Sequence, residues 1–406
     1  MTPMPPRPEA PGAIPLVLHA AFHGLRARHD VTLLTAAGDE PGEYEAALEL
    51  ARGDPSVHVV DRRRPAGLAR QRRRARLAAA WLRGGRPWRT VWFAEPRLQE
   101  AIDRLADARR FDVAAVQDGA MGVFRLPPGL PRVLTEHEVQ DPGGPPAAAG
   151  PPPARVLAEL DRRRWASFQP GVWRRFDRVE VFTGRDADRV AELAPDVRPR
   201  VRVNPFGIAL PPEADPARAE EGLVLFAGNY THAPNVDAAL WLAREIMPRV
   251  RAEVPGASLA LVGPGAPPEL RAAAGAGVAL VGEVAAIGPW LERAAAVVAP
   301  LRLGGGMRMK VLHALAAGKA VVTTPVGAAG LLLDGGEPPL LEAGDAAGLA
   351  AATVRVLREP GLRLALGRRG RAVAAGRHSA EAYAERLEAV HAEAVAERGA
   401  AAGAAR

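Results

Sequence analysis

Apolar residues in this chain cluster in short segments, separated by longer stretches whose apolar positions recur every three or four residues. Mainly apolar segments of three to six residues read as buried strands, and the spaced pattern reads as amphipathic helix. In the first half the runs lie at residues 31–35, 57–60, 91–93, 112–116 and 132–135, with a helix over about 16–29 ahead of the first. In the second half they lie at 223–228, 258–263, 278–282, 296–300 and 320–324, with helices over about 235–252 and 307–317. Strands alternating with helices predict βαβ units and parallel sheets. Three of the second-half runs end in glycine, at Gly228, Gly263 and Gly282. Bare backbone at strand ends suits a ligand crevice, because side chains there would fill it.

Turn-forming residues divide the chain. Residues 204–213 are turn-rich and read as a linker, and 141–153 are Pro/Gly/Ala-rich and read as a mobile loop. The predicted class is α/β, with two Rossmann-like domains and a cleft between them. Residues 1–205 form the first domain, 206–378 the second, and 379–406 a C-terminal helix and tail. The chain opens Met1-Thr2-Pro3-Met4-Pro5-Pro6, which reads as the loop after a central strand. We therefore expect the first strand to lie upstream of Met1. A naturally trimmed sheet is the alternative, and it would leave an unpaired central edge.

A length of 406 residues is too great for one ordinary core and fits two. With 48% hydrophobic and 24% charged residues the composition is that of a globular protein, and no run of about 18 apolar residues spans a bilayer. Cysteine is absent, which excludes disulfides and thiolate metal sites. The N-terminus has no charged-then-apolar leader pattern, so a cytoplasmic location is expected. A net charge of +7 points to an anionic partner. Nearly all of the basic residues are arginine, and the two lysines, Lys310 and Lys319, lie close together beside a glycine triplet.

That triplet carries the chemistry. A strand ends at Pro300, Gly304, Gly305 and Gly306 follow, and a helix starts near Met307. A glycine loop feeding a helix N-terminus presents unpaired N–H groups and the positive end of the helix dipole to an anion. Arg308 and Lys310 sit in the first turn, where cations oppose the dipole and a bound diphosphate would remove the conflict. An isolated triplet would be a flexible loop among solvated charges. The strand–loop–helix–strand setting favours the anion site.

A second basic feature spans residues 61–89, with 11 arginines and the single acid Asp61. Leu68, Ala75, Ala78 and Leu82 form a narrow apolar helical stripe with Trp81 beside it. Arg70, Arg72, Arg73, Arg74, Arg76 and Trp81 would face an anionic membrane surface. A solvated basic helix is the alternative. Nucleic acid is disfavoured as partner, because the arginines are not interleaved with stacking aromatics.

Several ordered motifs between about residues 223 and 379 resemble glycosyltransferase family 4, the group-one glycosyl transferases of GT-B architecture, and especially a bacterial branch with a Gly-rich loop. They are Phe226-Ala-Gly-Asn-Tyr, Pro234-Asn-Val-Asp-Ala-Ala-Leu-Trp, Gly282-Glu-Val, Gly304-Gly-Gly-Met-Arg-Met-Lys-Val-Leu and Ala317-Gly-Lys-Ala-Val-Val-Thr-Thr-Pro-Val-Gly. The first half matches more loosely, through Phe111-Asp-Val and Trp173-Arg-Arg-Phe-Asp-Arg-Val-Glu-Val-Phe-Thr. The resemblance implies transfer of a sugar from a nucleotide-diphosphate sugar to an acceptor hydroxyl, with retention, in cell-surface polysaccharide or glycolipid synthesis. A lipid-linked acceptor would suit peripheral attachment to the inner membrane face.

By the same resemblance, Gly228 and Asn229 face the donor phosphates and Glu283 lies where the base is held. Arg308 and Lys310 neutralise the leaving diphosphate, and His137, in Thr135-Glu-His-Glu, lies near the reacting sugar. A packed loop histidine is the other reading of His137. Two glutamates common in the family fall on Gly305 and His313, and His313 can still hydrogen-bond a ribose hydroxyl. The family's other basic pair is replaced by the region of Asn229, His232 and Asn235. No Asp-x-Asp motif ends a strand, so no divalent metal and no other cofactor is expected. His313 motivates one alternative, a degenerate nucleotide-sugar binder without turnover. A nucleotide-sugar epimerase on the same fold is another, although such enzymes lack the 304–310 motif.

Overall fold

A computed structural model describes residues 1–8, 13–38, 42–63, 67–139, 152–275, 277–303, 308–331, 333 and 337–404. Gly304, Gly305 and Gly306, and nearly all of the 141–153 segment, lie outside the described residues. Contacts divide the chain into two compact units, residues 1–204 with 383–406, and residues 205–382. The C-terminal helix Ala380–Ala404 thus supplies most of its length to the first unit.

The first unit holds strands β1 (Leu33–Ala37), β2 (Val57–Asp61), β3 (Ala114–Gln117), β4 (Arg132–Glu136), β5 (Arg178–Val181) and β6 (Val201–Val203). They form a parallel pair β1-β2 and a parallel sheet β3-β4-β5-β6. Met1 and Thr2 lie between the two groups. Thr2 bridges Thr35 in parallel, the Met1 amino group donates to Ala115 O at 2.7 Å, and Gln117 N donates to Met1 O at 2.9 Å.

The second unit holds β7 (Leu223–Ala227), β8 (Ser258–Val262), β9 (Val278–Gly282), β10 (Ala296–Ala299), β11 (Val321–Thr323) and β12 (Leu341–Glu342). All pair in parallel, in the order β12-β11-β10-β7-β8-β9. β7, β8, β10 and β11 are buried almost throughout, which is why each reads as a continuous apolar run. From β7 the chain builds outward to β8 and β9, then returns to place β10 on the other side. The strand order therefore reverses between β7 and β10, and such a switch point opens a crevice at the C-terminal strand ends.

Glycine keeps that edge open. Gly263, just past β8, has φ 140°, and a Cβ there would stand 1.9 Å from Gly228 O. No non-glycine residue fits this approach of the β7 and β8 ends.

Two elements differ from the sequence reading. Residues 91–93, read as a weak strand, belong to the helix Trp88–Phe93, since three apolar residues carry no usable period. The helix expected over 235–252 is instead two helices, Ala233–Trp241 and Met247–Glu253, joined by a π-turn at Leu242–Ile246. Pro248 lies just beyond the turn and lacks the N–H that a continuous helix would use.

Candidate functional site

The switch point of the second unit gathers four of the residues singled out from sequence. Gly228 and Asn229 follow β7. Gly228 N donates to Val262 O, and a Cβ on Gly228 would meet Asn235 at 3.0 Å, so the turn lies against Asn235. Asn229 Oδ1 accepts from Thr231 N at 2.9 Å and Thr231 Oγ1 at 2.7 Å, which fixes the turn. On the β10 side, Arg308 occupies the N-cap position of the helix Met309–Ala316 and Lys310 lies in its first turn. Lys310 Nζ donates to Asn235 Oδ1 at 2.8 Å, while Asn235 Nδ2 donates to Asn229 O at 2.7 Å. One amide thus ties the lysine of the β10 side to the loop of the β7 side.

The electrostatics of this clamp suit an anion. The Lys310 ammonium sits 5.7 Å from the centre of the Phe226 ring, and among the described residues its hydrogen-bond partner is a neutral amide. Burial, and after it the Arg308 charge, push its pKa down to about 8. A cation held that way gains from any anion that arrives. Arg308 Nε reaches Val326 O at 3.4 Å, on the short helix Pro325–Ala328 that follows β11. Thr324 caps that helix through Gly327 N at 3.0 Å, and its hydroxyl donates to Leu301 O. The ends of β10 and β11 are thereby fastened together.

The other second-unit residues are placed less tightly. His313 lies three residues past Lys310 on the same helix face, half-buried, and burial lowers its pKa. Glu283 is exposed just past Gly282 at the far edge strand β9, two strands from β7. Lys319 has a structural place at the other end of the Met309–Ala316 helix, buried and donating to Glu292 O at 3.3 Å. Among the described residues no three His, Asp or Glu side chains gather as a metal site would need.

The first unit carries a second polar cluster, around His137. Its ring lies edge-on to Phe182, with centroids 5.3 Å apart, and its Nε2 lies 3.0 Å from Gln117 Oε1. Burial, opposed by Asp118 and assisted by Arg89, lowers its pKa to about 4, so it is a neutral hydrogen-bonding group. Next to it Glu136 is buried. Its carboxyl accepts from Trp173 Nε1 at 2.9 Å and Gly119 N at 3.2 Å. Burial and the nearby Asp118 carboxylate push its pKa up to about 8, with Trp173, Gly119 and Arg89 opposing. Asp118 pairs with Arg89 and has φ 81°, a strained value for a residue other than glycine.

Sequence reasoning missed Asn235 as the link between the two sides of the crevice, and it missed the buried acids Glu136 and Glu180. Only Glu136 left a trace, as an acid placed just beyond an apolar run.

One residue assigned to the surface is misplaced by the sequence. Trp81 is 6% exposed, and its indole donates to Asp161 Oδ1 at 2.8 Å. It therefore faces the helix Pro152–Trp173, and burial with a satisfied N–H corrects the outward assignment. Arg73 is half-buried beside Trp92 and Glu95. Arg70, Arg72, Arg74 and Arg76 are exposed on the helix Gly67–Gly84.

Residues 221–359 match the family model of the glycosyl transferases group 1. The match covers a third of the chain, lies wholly in the second unit and contains β7 through β12. No curated protein matches the chain by sequence. Among solved structures, sucrose-phosphate synthase from Thermosynechococcus elongatus is 18% identical with a TM-score of 0.65, over 98% of both chains. HepE from Anabaena, solved with UDP and glucose, is 14% identical with a TM-score of 0.63, over 95% of this chain and 97% of its own. A UDP-forming trehalose-phosphate synthase from Burkholderia xenovorans is 12% identical with a TM-score of 0.57, over 89% and 99%. At these identities the likeness is one of fold, and the fold is GT-B with two Rossmann-like domains. The group 1 match over residues 221–359 indicates a glycosyltransferase.

Proposed function

We propose that this chain moves a sugar from a nucleotide-diphosphate sugar to an acceptor hydroxyl, with retention, as a member of family 4 in its Gly-rich-loop branch. The observation that carries the reading is the Lys310–Asn235–Asn229 clamp at the switch point, a desolvated ammonium held against a glycine turn. In the transfer, the bond from the anomeric carbon to the diphosphate oxygen breaks and the acceptor oxygen bonds to that carbon. The acceptor's proton leaves with the departing phosphate, the nearest anionic base on the same face. Negative charge grows on the diphosphate as the bond breaks, and Lys310 and Arg308 stabilise it in a setting poor in water. In this reading His313 bonds the ribose and Glu283 the base. His137 contacts the sugar as a neutral hydrogen-bonding group. Cell-surface polysaccharide or glycolipid synthesis is the setting this chemistry suits.

HepE binds UDP-glucose and the trehalose-phosphate synthase is UDP-forming, so a uridine donor heads the panel for testing. Thermal unfolding is measured with UDP-, GDP- and ADP-sugars, in EDTA because the reading gives the diphosphate charge to side chains. At about 100 times its dissociation constant a ligand stabilises by about 2.7 kcal/mol, a shift of a few degrees at this size. We expect one nucleotide class to produce it. A shift without turnover on any acceptor would favour the degenerate binder instead, and no shift with any class would remove donor binding altogether.

Among the described residues no helix is long and apolar enough to cross a membrane. We propose peripheral contact with an anionic bilayer through the helix Gly67–Gly84. Beside the exposed Arg70, Arg72, Arg74 and Arg76, its Leu68 and Leu82 are 72% and 61% exposed. The helix Pro152–Trp173, tied to it by the Trp81–Asp161 bond, adds exposed Val156, Leu157 and Leu160. Basic side chains with apolar ones between them match a bilayer interface. The protein should sediment with phosphatidylglycerol vesicles at low salt and be released as salt screens the charge. Failure to sediment at low salt removes the membrane contact and leaves a solvated basic helix.

A further inference from the structure

A row of side-chain hydrogen bonds crosses the sheet of the first unit and ends on His137. Gln117, Thr135 and Glu180 are register partners on β3, β4 and β5, so their side chains stand side by side on one face. His137 follows two residues after Thr135, just past the end of β4, and its Nε2 lies 3.0 Å from Gln117 Oε1. Gln117 Nε2 is 3.0 Å from Thr135 Oγ1, and Thr135 Oγ1 is 2.9 Å from Glu180 Oε2. Asn204 Nδ2 is 2.9 Å from Glu180 Oε1, and Arg386 Nε is 2.9 Å from Asn204 Oδ1.

The direction of every bond follows from one end. A guanidinium only donates, so Arg386 fixes Asn204 with its oxygen toward the arginine and its NH2 toward Glu180. An ionised Glu180 only accepts, so the Thr135 hydroxyl donates to it. The Thr135 oxygen then accepts from Gln117 Nε2, which leaves Gln117 Oε1 facing His137. His137 Nε2 must carry the hydrogen, and Nδ1 becomes the acceptor. Among the described residues Nδ1 has no hydrogen-bond partner.

We propose that Glu180 is a positioning residue which, acting through Thr135 and Gln117, sets the tautomer of His137 and so decides whether its Nδ1 accepts or donates toward the donor sugar. The consequence for the sugar rests on the transfer reading above, whereas the tautomer itself is read without turnover. When Glu180 takes a proton on Oε2 it donates to Thr135, and each later bond reverses. Gln117 then turns its NH2 to His137 Nε2, and the hydrogen moves to Nδ1. Burial raises Glu180 to a pKa of about 7, opposed by Asn204, Thr135 and Arg386, so both states are within reach near neutrality. The other ionisable group against Glu180 is the buried phenol of Tyr383. Those that act on His137 are Asp118 and Arg89.

The experiment is histidine-selective nitrogen-15 NMR of the whole protein. It separates hydrogen-bearing from bare ring nitrogens, and His137 is assigned by its missing signal in His137→Asn. Wild type at pH 8 should show hydrogen on Nε2 and convert toward Nδ1 by pH 6, below the titration of Glu180. Glu180→Gln must present its NH2 to Thr135, because Arg386 and Asn204 hold the other side, so it should show the Nδ1 form at both pH values. Thr135→Val should remove the conversion, and Thr135→Ser should restore it. Hydrogen remaining on Nε2 in folded Glu180→Gln would overturn the proposal. So would an unchanged pH conversion in Thr135→Val. If Glu180→Gln does not fold, the wild-type titration and the Thr135 pair decide the matter. Loss of all transferase activity would leave these spectra unaffected, so the two readings fail separately.

Discussion

Replacing Lys310 with alanine should lower kcat by about 10²–10³ and leave the thermal midpoint unchanged or slightly raised. Loss of one preorganised group that stabilises transition-state charge costs about 3–4 kcal/mol of barrier, which sets the size of the rate effect. The stability side follows from the lysine's surroundings. Its pKa of about 8 shows that burial works against the charge, and among the described residues its hydrogen-bond partner is the neutral Asn235 amide. The folded protein without donor therefore gains little from the ammonium and carries its desolvation. Arg308→Ala should reduce turnover by a comparable factor. In the double variant the losses should fall short of additive, because both charges act on one diphosphate. Steady-state kinetics beside thermal unfolding check this. A folded double variant with full activity would end the assignment of these two residues, and a midpoint lowered by many degrees would give Lys310 a structural role.

What the sequence disclosed depended on how local the signal was. β7, β8, β10 and β11 were legible because a strand buried on both faces is a short apolar run, whatever surrounds it. Lys310 and Arg308 were legible because a cation in the first turn of a helix is unfavourable without a ligand, and that mismatch can be seen in a few residues. The Trp81 error had the opposite origin. Helical periodicity puts Trp81 beside an apolar stripe, but the acceptor of its N–H is Asp161, 80 residues away. The Glu180 ladder is also non-local. Gln117, Thr135 and Glu180 belong to three strands, and only their register makes them neighbours. Likewise, Asn235 has a role only once the ends of β7 and β10 are set side by side. The Gly304, Gly305 and Gly306 loop lies outside the described residues, so its role rests on the residues that flank it.

The buried acid Glu136 should make the first unit lose stability as pH rises through neutrality, and comparison with Glu136→Gln isolates that loss. Its carboxyl has a folded-state pKa of about 8, against an ordinary 4.5, and burial is the main cause. Between those values the folded protein keeps a proton that the unfolded chain has released. Stability from that proton is fully present below about pH 4.5 and is lost as pH rises to about 8, at about 1.4 kcal/mol per pH unit. Other titrations overlap this window: burial lowers the pKa of His19, His23, His137, His313 and His391, which act in the opposite sense as pH rises, and raises that of Glu180, which acts in the same sense. The wild-type profile alone is therefore a poor readout, but those groups are common to both proteins and cancel in the difference. Glutamine cannot titrate. Its NH2 must also face one of the two donors, Trp173 Nε1 or Gly119 N, which adds a pH-independent penalty of about 1–3 kcal/mol. The variant should thus be the less stable protein at pH 5. It should close on wild type, or overtake it, by pH 8, and run parallel to it above that. Denaturant unfolding at half-unit pH steps measures the difference. A constant gap from pH 5 to 8 would mean that Glu136 is ionised throughout, with Arg89 holding its charge as well as that of Asp118.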